Sequence, residues 1–237
     1  MAEKTLEEMR QAVAEIREKM AAAAREAGRD PAAVQLCAAC KTRTAQTIAA
    51  SAALPIDLFG ENHVQELCAN YDAGAYCGKP SHFIGHLQTN KIKKVLGRAS
   101  LIQSVDSEHL LLAIEKEAAK AGIVQDILLE VNIGGEEAKS GFAPESLEQA
   151  AEEANKCANV RVRGLMCIPP VAEGEHGSLP YFEKVHALFV DINAKLYDNT
   201  LDILSMGMSG DYEDAVRAGA TMVRVGTAIF GARNYTI

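Results

Sequence analysis

Between residues 34 and 225, eight short apolar runs alternate with stretches of helical periodicity. That alternation limits the fold of this chain more than any other feature. The runs fall at 34–40, 57–59, 82–85, 101–105, 127–131, 162–168, 204–207 and 222–225. Helical stretches are expected at 44–53, 63–73, 88–96, 108–121, 144–156, 181–195 and 212–218. Strands separated by helices of about ten residues form βαβ units, whose crossovers make the strands parallel. Eight parallel strands in 237 residues match a closed (β/α)8 TIM barrel. The competing open dinucleotide-binding sheet would need Gly-x-Gly-x-x-Gly after the first strand, and none is there. Ahead of the first strand, Leu6, Met9, Val13, Ile16 and Met20 repeat at three- and four-residue steps with charged residues between them. They predict an amphipathic helix ending near Gly28, packed on the barrel. No linker or low-complexity tract divides the sequence, so residues 1–237 read as one domain with residues 1–28 as its added helix.

Composition removes several classes of function. A net charge of −8 opposes a nucleic-acid partner, because phosphate backbones select excess Lys and Arg. The one basic cluster, Lys91, Lys93, Lys94 and Arg98, reads as a solvated helix face. No apolar run reaches the roughly 18–20 residues that span a bilayer, and the first residues read as too charged for a signal peptide. A cytoplasmic chain with reduced thiols is the expectation. Cys37-Ala-Ala-Cys40 has CxxC spacing, but residues three apart on a strand face opposite ways, so its sulfurs diverge. Cys68, Cys77, Cys157 and Cys167 read as small packing residues.

Two strand ends near the C-terminus are chemically distinctive. Residues 204–211 run out into Ser209-Gly210, and residues 223–231 run out into Gly226-Thr227. Glycine admits close backbone approach and the hydroxyls add donors. In an eight-stranded barrel the loops after the last two strands commonly hold phosphate. Lys41 follows the first strand, which adjoins the eighth in a closed barrel. It reads either as a surface residue opening a loop or as an amine poised to form a Schiff base. An aldehyde that carries a phosphate would then be gripped at both ends, as pyridoxal 5′-phosphate (PLP) would be. Arg224 lies two residues before Gly226 on the same strand face. It points either at a pyridine nitrogen, which it would keep unprotonated, or at a buried carboxylate such as Glu61 or Glu130.

Further segments occur in order: Lys41-Thr, Phe59-Gly-Glu-Asn62 with Gln65-Glu66, and His82-Phe-Ile-Gly-His-Leu-Gln-Thr-Asn-Lys91. Ser104-Val-Asp106, Val131-Asn132, Lys139-Ser-Gly141 and Arg163-Gly-Leu-Met166 follow, and then the two C-terminal segments. Over nearly its whole length the chain resembles the pyridoxal phosphate homeostasis proteins, PLP-binding barrels related to the N-terminal domain of alanine racemase. The resemblance implies a fold type III PLP barrel with Lys41 as the Schiff-base lysine. It also implies that Arg224 faces the pyridine nitrogen and that Ser209, Gly226 and Thr227 hold the phosphate. The chain departs from the pattern at Cys40, where a serine is usual, and lacks the proline often found soon after the lysine. Altered packing with retained binding is expected from both changes.

Other candidates carry paired readings. Asn62 is a donor to the cofactor's phenolic oxygen or an N-cap, and Met166 packs on the cofactor ring or in the core. His82 and His86 read as buried, hydrogen-bonded histidines, being too far apart on an extended run to share a metal ion. Asp211 is expected to turn toward helix amides or solvent, and Lys139-Ser-Gly141 has no assigned role. Racemisation needs an acid or base on both faces of the substrate carbon, and only Lys41 is apparent. The leading expectation is therefore a non-catalytic, monomeric PLP holder that buffers, stores or delivers vitamin B6 cofactor, with PLP-dependent apoenzymes as partners. A slow PLP-dependent amino-acid racemase is the alternative, and a class I aldolase-type barrel acting on a phosphorylated sugar is a third reading.

Overall fold

Strands whose neighbours on both faces are apolar can be buried on both sides only if helices cover one face and the barrel interior the other. The computed structural model, which describes residues 4–136, 140–171, 173–174 and 176–232, has this arrangement. The strands are β1 (Gln35–Ala39), β2 (Leu58–Glu61), β3 (Ser81–Phe83), β4 (Leu101–Val105), β5 (Gln125–Val131), β6 (Val160–Cys167), β7 (Ile203–Ser205) and β8 (Met222–Val225). All pair in parallel in sequence order, and β8 closes on β1 with Cys37 opposite Arg224. The fold is the expected (β/α)8 barrel.

Side-chain alternation sorts the core into two parts. Cys37, Leu58, Leu101, Leu128, Met166, Ile203 and Met222 form one buried cluster, drawn from every strand except β3. They fill the inside of the barrel, where β3 contributes His82 instead. The larger cluster lies between the strands and the helices. At β6 the register against β5 slips between Ile127 and Leu128. Gly164 makes this slip possible: its φ of +152° is open to glycine, and a Cβ there would stand 1.8 Å from the Ile203 carbonyl oxygen.

The helices are α1 (Leu6–Glu26), α2 (Ala45–Ser51), α3 (Val64–Asp72), α4 (Ile92–Val95), α5 (Glu108–Ala121), α6 (Leu147–Asn155), α7 (Leu179–Leu196), α8 (Tyr212–Arg217) and α9 (Thr227–Phe230). The helix expected over 88–96 is a 3-10 turn, Thr89–Lys91, followed by the single turn of α4. Gly97, with φ of +76°, ends that turn early. In α1 a capping box joins Thr5 and Glu8, satisfying two otherwise free N–H groups. Its buried stripe is Met9, Val13, Ile16, Met20, Ala23 and Ala24, while Leu6 is 40% exposed. Each large side chain buried this way stabilises the docked helix by about 1.5–3 kcal/mol. The helix packs chiefly against α8, and also against the turn at Pro31–Ala33, α9 and α2. Arg29 fixes the far end by donating to the carbonyls of Val216 and Ala220. Near the start of α1, the Lys4 N–H donates to Phe230 O and Lys4 Nζ to Ala228 O. The added helix thus braces the two C-terminal elements that form one wall of the cleft. Among the described residues no helix is long and apolar enough to cross a membrane.

Candidate ligand-binding site

The C-terminal ends of β1, β2, β3, β6, β7 and β8 surround a cleft of about 240 Å³. Six of the seven residues singled out from the sequence line it: Lys41, Asn62, Ser209, Arg224, Gly226 and Thr227. Met166 does not. It is 1% exposed inside the barrel, and Ile168, two residues further along the same strand face, lines the cleft in its place.

Lys41 lies two residues past the end of β1, and the chain turns sharply after it through Thr42, whose φ is +64°. The Thr42 N–H donates to Glu66 Oε2 at 3.2 Å, which ties this turn to α3. Arg43 reaches across to the end of α9. Its Nη2 donates to Gly231 O at 2.8 Å, and its guanidinium lies 5.7 Å from the Phe230 ring centroid. Asn62 is not a helix cap: His63 holds that position in α3, and no side-chain bond caps the helix. The Asn62 side chain is thereby left to the cleft wall.

On the opposite side, the backbone N–H groups of Gly226 and Ala228 both donate to Ser209 Oγ, each at 3.3 Å. Two main-chain donors thus converge on one hydroxyl at the start of α9, beside the cleft. Gly226 is needed for this, because a Cβ there would lie 2.9 Å from the Ala39 carbonyl oxygen. Asp211 does not cap α8, and its side chain stays half-exposed. Its Oδ1 accepts from the Met208 N–H at 2.6 Å, which tightens the β7–α8 turn.

Arg224 forms the floor. It is 4% exposed and donates from Nη1 to Ser205 Oγ at 2.6 Å and from Nη2 to Cys167 O at 2.9 Å. Burial opposes its charge, yet a guanidinium keeps its proton. Neither carboxylate considered as a partner pairs with it. Glu61 faces outward, where Oε1 accepts from Asn70 Nδ2 at 2.7 Å and from Tyr76 OH at 3.1 Å. Burial raises the Glu61 carboxyl, and its Oε2 has no hydrogen-bond partner. Glu130 is held at about 7, first by burial and then by the like charge of Asp106. His86 binds Asp106 at 3.1 Å and is largely exposed; only His82 is buried as expected.

The thiols have no redox geometry: all six cysteines are free, and burial pushes Cys37 and Cys167 up to about 12. Cys77 is exposed, against its reading as a packing residue. Among the described residues no His, Cys, Asp and Glu grouping could hold a metal ion. Lys139 lies outside the described residues. Beyond it, Phe142 pairs back beside the end of β5 through Glu130 O and Asn132 N.

Four further cleft residues, Arg43, Ile84, Ile168 and Met208, were not singled out from the sequence. Ile84 and Ile168 were accessible in principle, since each lies two residues beyond an inward residue, His82 or Met166. Arg43 and Met208 are in turns, where alternation says nothing about direction.

A parallel barrel with a lysine and two converging backbone N–H groups around its C-terminal mouth belongs to the class of the alanine racemase N-terminal domain. The chain matches that family, described as "Alanine racemase, N-terminal domain", over residues 11–234. It is 43% identical over 218 residues to a pyridoxal phosphate homeostasis protein of Aquifex aeolicus, covering 92% of this chain and 95% of the relative. It is 38% identical over 226 residues to the protein of that name from Pseudomonas aeruginosa, covering 94% and 95%. The PipY protein of Synechococcus elongatus PCC7942, solved with PLP bound, superimposes with a TM-score of 0.78 at 30% identity, covering 91% of this chain and all of that one. This chain belongs to the pyridoxal phosphate homeostasis protein family.

Proposed function

We propose that the cleft holds PLP through Lys41 and that the protein buffers, stores or delivers this cofactor inside the cell. The observation that carries the reading is the pairing of Lys41 with the converging Gly226 and Ala228 N–H groups across one cleft. An amine and an anion cradle so arranged fit a ligand with an aldehyde at one end and a phosphate at the other. PLP supplies an electron-accepting ring joined to a reactive aldehyde. The chain's own residues do the rest. Lys41 offers the amine for reversible covalent attachment, and Ser209, Gly226 and Thr227 bind the phosphate. Asn62 donates to the phenolic oxygen in this reading, and Arg224 faces the ring nitrogen. Ile84, Ile168 and Met208 supply the apolar sides. Apoenzymes that need the cofactor are the proposed recipients, and a single copy of the chain contains all of these cleft residues.

A non-catalytic holder is favoured over a racemase because Lys41 is the one acid–base group that lines the cleft among the described residues; the arginines there cannot exchange protons. Purified protein mixed with PLP should develop an absorption band above 400 nm that borohydride removes, leaving label on the peptide containing Lys41. Lys41→Ala should abolish the trapped adduct. Protein that neither changes colour nor takes up PLP would refute the reading. With L-amino acids in deuterated water, a holder gives no sustained Cα exchange, whereas continuing exchange would indicate the racemase.

A further inference from the structure

Behind the cleft floor, a chain of buried polar groups crosses the barrel from β8 to β3. Arg224 Nη1 donates to Ser205 Oγ at 2.6 Å. Ser205 Oγ donates to Gln103 Oε1 at 2.7 Å. Gln103 Nε2 lies 2.9 Å from His82 Nδ1 and 3.2 Å from Met222 Sδ. All four polar residues are buried: Arg224 4%, Ser205 0%, Gln103 0% and His82 6% exposed.

The direction of this chain follows from its first member. A guanidinium has only donors, so the Ser205 oxygen must accept and its proton must go on to Gln103 Oε1. That orients the Gln103 amide with Nε2 toward His82. His82 Nδ1 must then accept, and its own proton lies on Nε2. Burial keeps His82 neutral, with Arg163 adding to the effect and Asp126 opposing it. Every link is therefore polarised away from Arg224, and no link is an acid. The charged groups around Arg224 itself act at longer range: Glu130 from β5 and Asp211 from the β7–α8 turn, beside the neutral thiols of Cys37 and Cys167.

We propose that Gln103 and Ser205 are positioning residues that fix the Arg224 guanidinium against the cleft and keep its charge uncompensated, so that a heteroaromatic ring nitrogen bound there stays unprotonated. This rests on the reading of the cleft as a PLP site. Glutamine is the informative residue, because glutamate has the same shape and would place a carboxylate one hydroxyl away from the guanidinium.

The test compares wild type with Gln103→Glu, Gln103→Leu and Ser205→Ala, using PLP labelled with 15N in the ring. In the wild type the ring nitrogen should give the shift of an unprotonated pyridine from pH 6 to 9. Gln103→Glu should move it toward the protonated value, raising its proton affinity about ten-fold or more. Ser205→Ala should move it less, because Arg224 then keeps only the Cys167 carbonyl, and Gln103→Leu should also move it less, because Ser205 still accepts from Arg224 but loses the acceptor that orients it. Ring-nitrogen shifts equal to wild type in all three variants, alongside lowered melting temperatures, would show a purely structural role and overturn the proposal. NMR of the ligand-free protein separates this from a failure of the PLP reading. There, wild-type His82 should be neutral with its proton on Nε2 at pH 6, and Gln103→Glu should raise its proton affinity at least about ten-fold. A His82 proton on Nδ1 in the wild type would overturn the chain's direction even if PLP never bound.

Discussion

Single atoms decide the behaviour of this site. A Cβ at residue 226 would press on the Ala39 carbonyl and displace the N–H that Ser209 now receives. Overpacking of this kind costs about 1–3 kcal/mol, so Gly226→Ala should weaken PLP uptake about ten-fold, as measured by equilibrium titration of the absorption band. His82 makes stability depend on pH. Its folded value is lowered to about 4 from 6.5, so the unfolded chain takes up a proton first as the solution is acidified. The stability present above pH 6.5 is lost between pH 6.5 and 4, amounting to about 3 kcal/mol at full effect. Denaturant titrations should show this slope in the wild type and a flatter one in His82→Gln. Glu61 acts in the opposite sense. Burial raises its folded value above 4.5, so the unfolded chain releases the proton first as pH rises, and stability falls. Glu61→Gln should gain on the wild type as pH climbs from 4 toward 8, and a constant difference across that range would contradict the raised carboxyl. Lys41 and Arg224 were legible in the sequence because their types and strand positions are unusual. Gln103 and Ser205 were not, because nothing in their neighbours showed that strands four and seven would bring them within hydrogen-bond reach.

Among the elements, those with strong periodicity were the easiest to anticipate. The stripe of α1 and the long repeat of α5 needed only local spacing. The 88–96 segment had helical composition yet produced only a 3-10 turn and one α-helical turn, because Gly97 ends it and β4 begins four residues later. Strand β6 begins and ends within two residues of expectation, but its bulge at Gly164 was not legible, since it answers a clash with β7. The position of α1 carries a prediction. Thr5→Ala removes the capping box and should cost about 1 kcal/mol. Because Lys4 bonds to Ala228 and Phe230, hydrogen exchange in α9 should speed up as well as exchange in the first turn of α1. An effect confined to α1 would mean that the two elements are not coupled.

For the whole molecule, ligand and fold stabilise each other. A ligand that binds only the native state adds about 2.7 kcal/mol at a hundred times its Kd. For a domain of this size that corresponds to a rise of roughly 5–10 °C in melting temperature. Saturating PLP should produce such a rise in the wild type and a much smaller one in Lys41→Ala. The sequence by itself determined the (β/α)8 architecture, the glycine- and hydroxyl-bearing ends of the last two strands and the lysine after the first strand. These depend on periodicity and residue type, which are local properties. Only the tertiary structure decided which residues meet. It set Met166 below the cleft and Ile168 beside it, turned Glu61 outward, and gave Arg224 neutral partners in place of a carboxylate. Those outcomes follow from barrel closure and strand register, which fix distances between residues far apart in the chain.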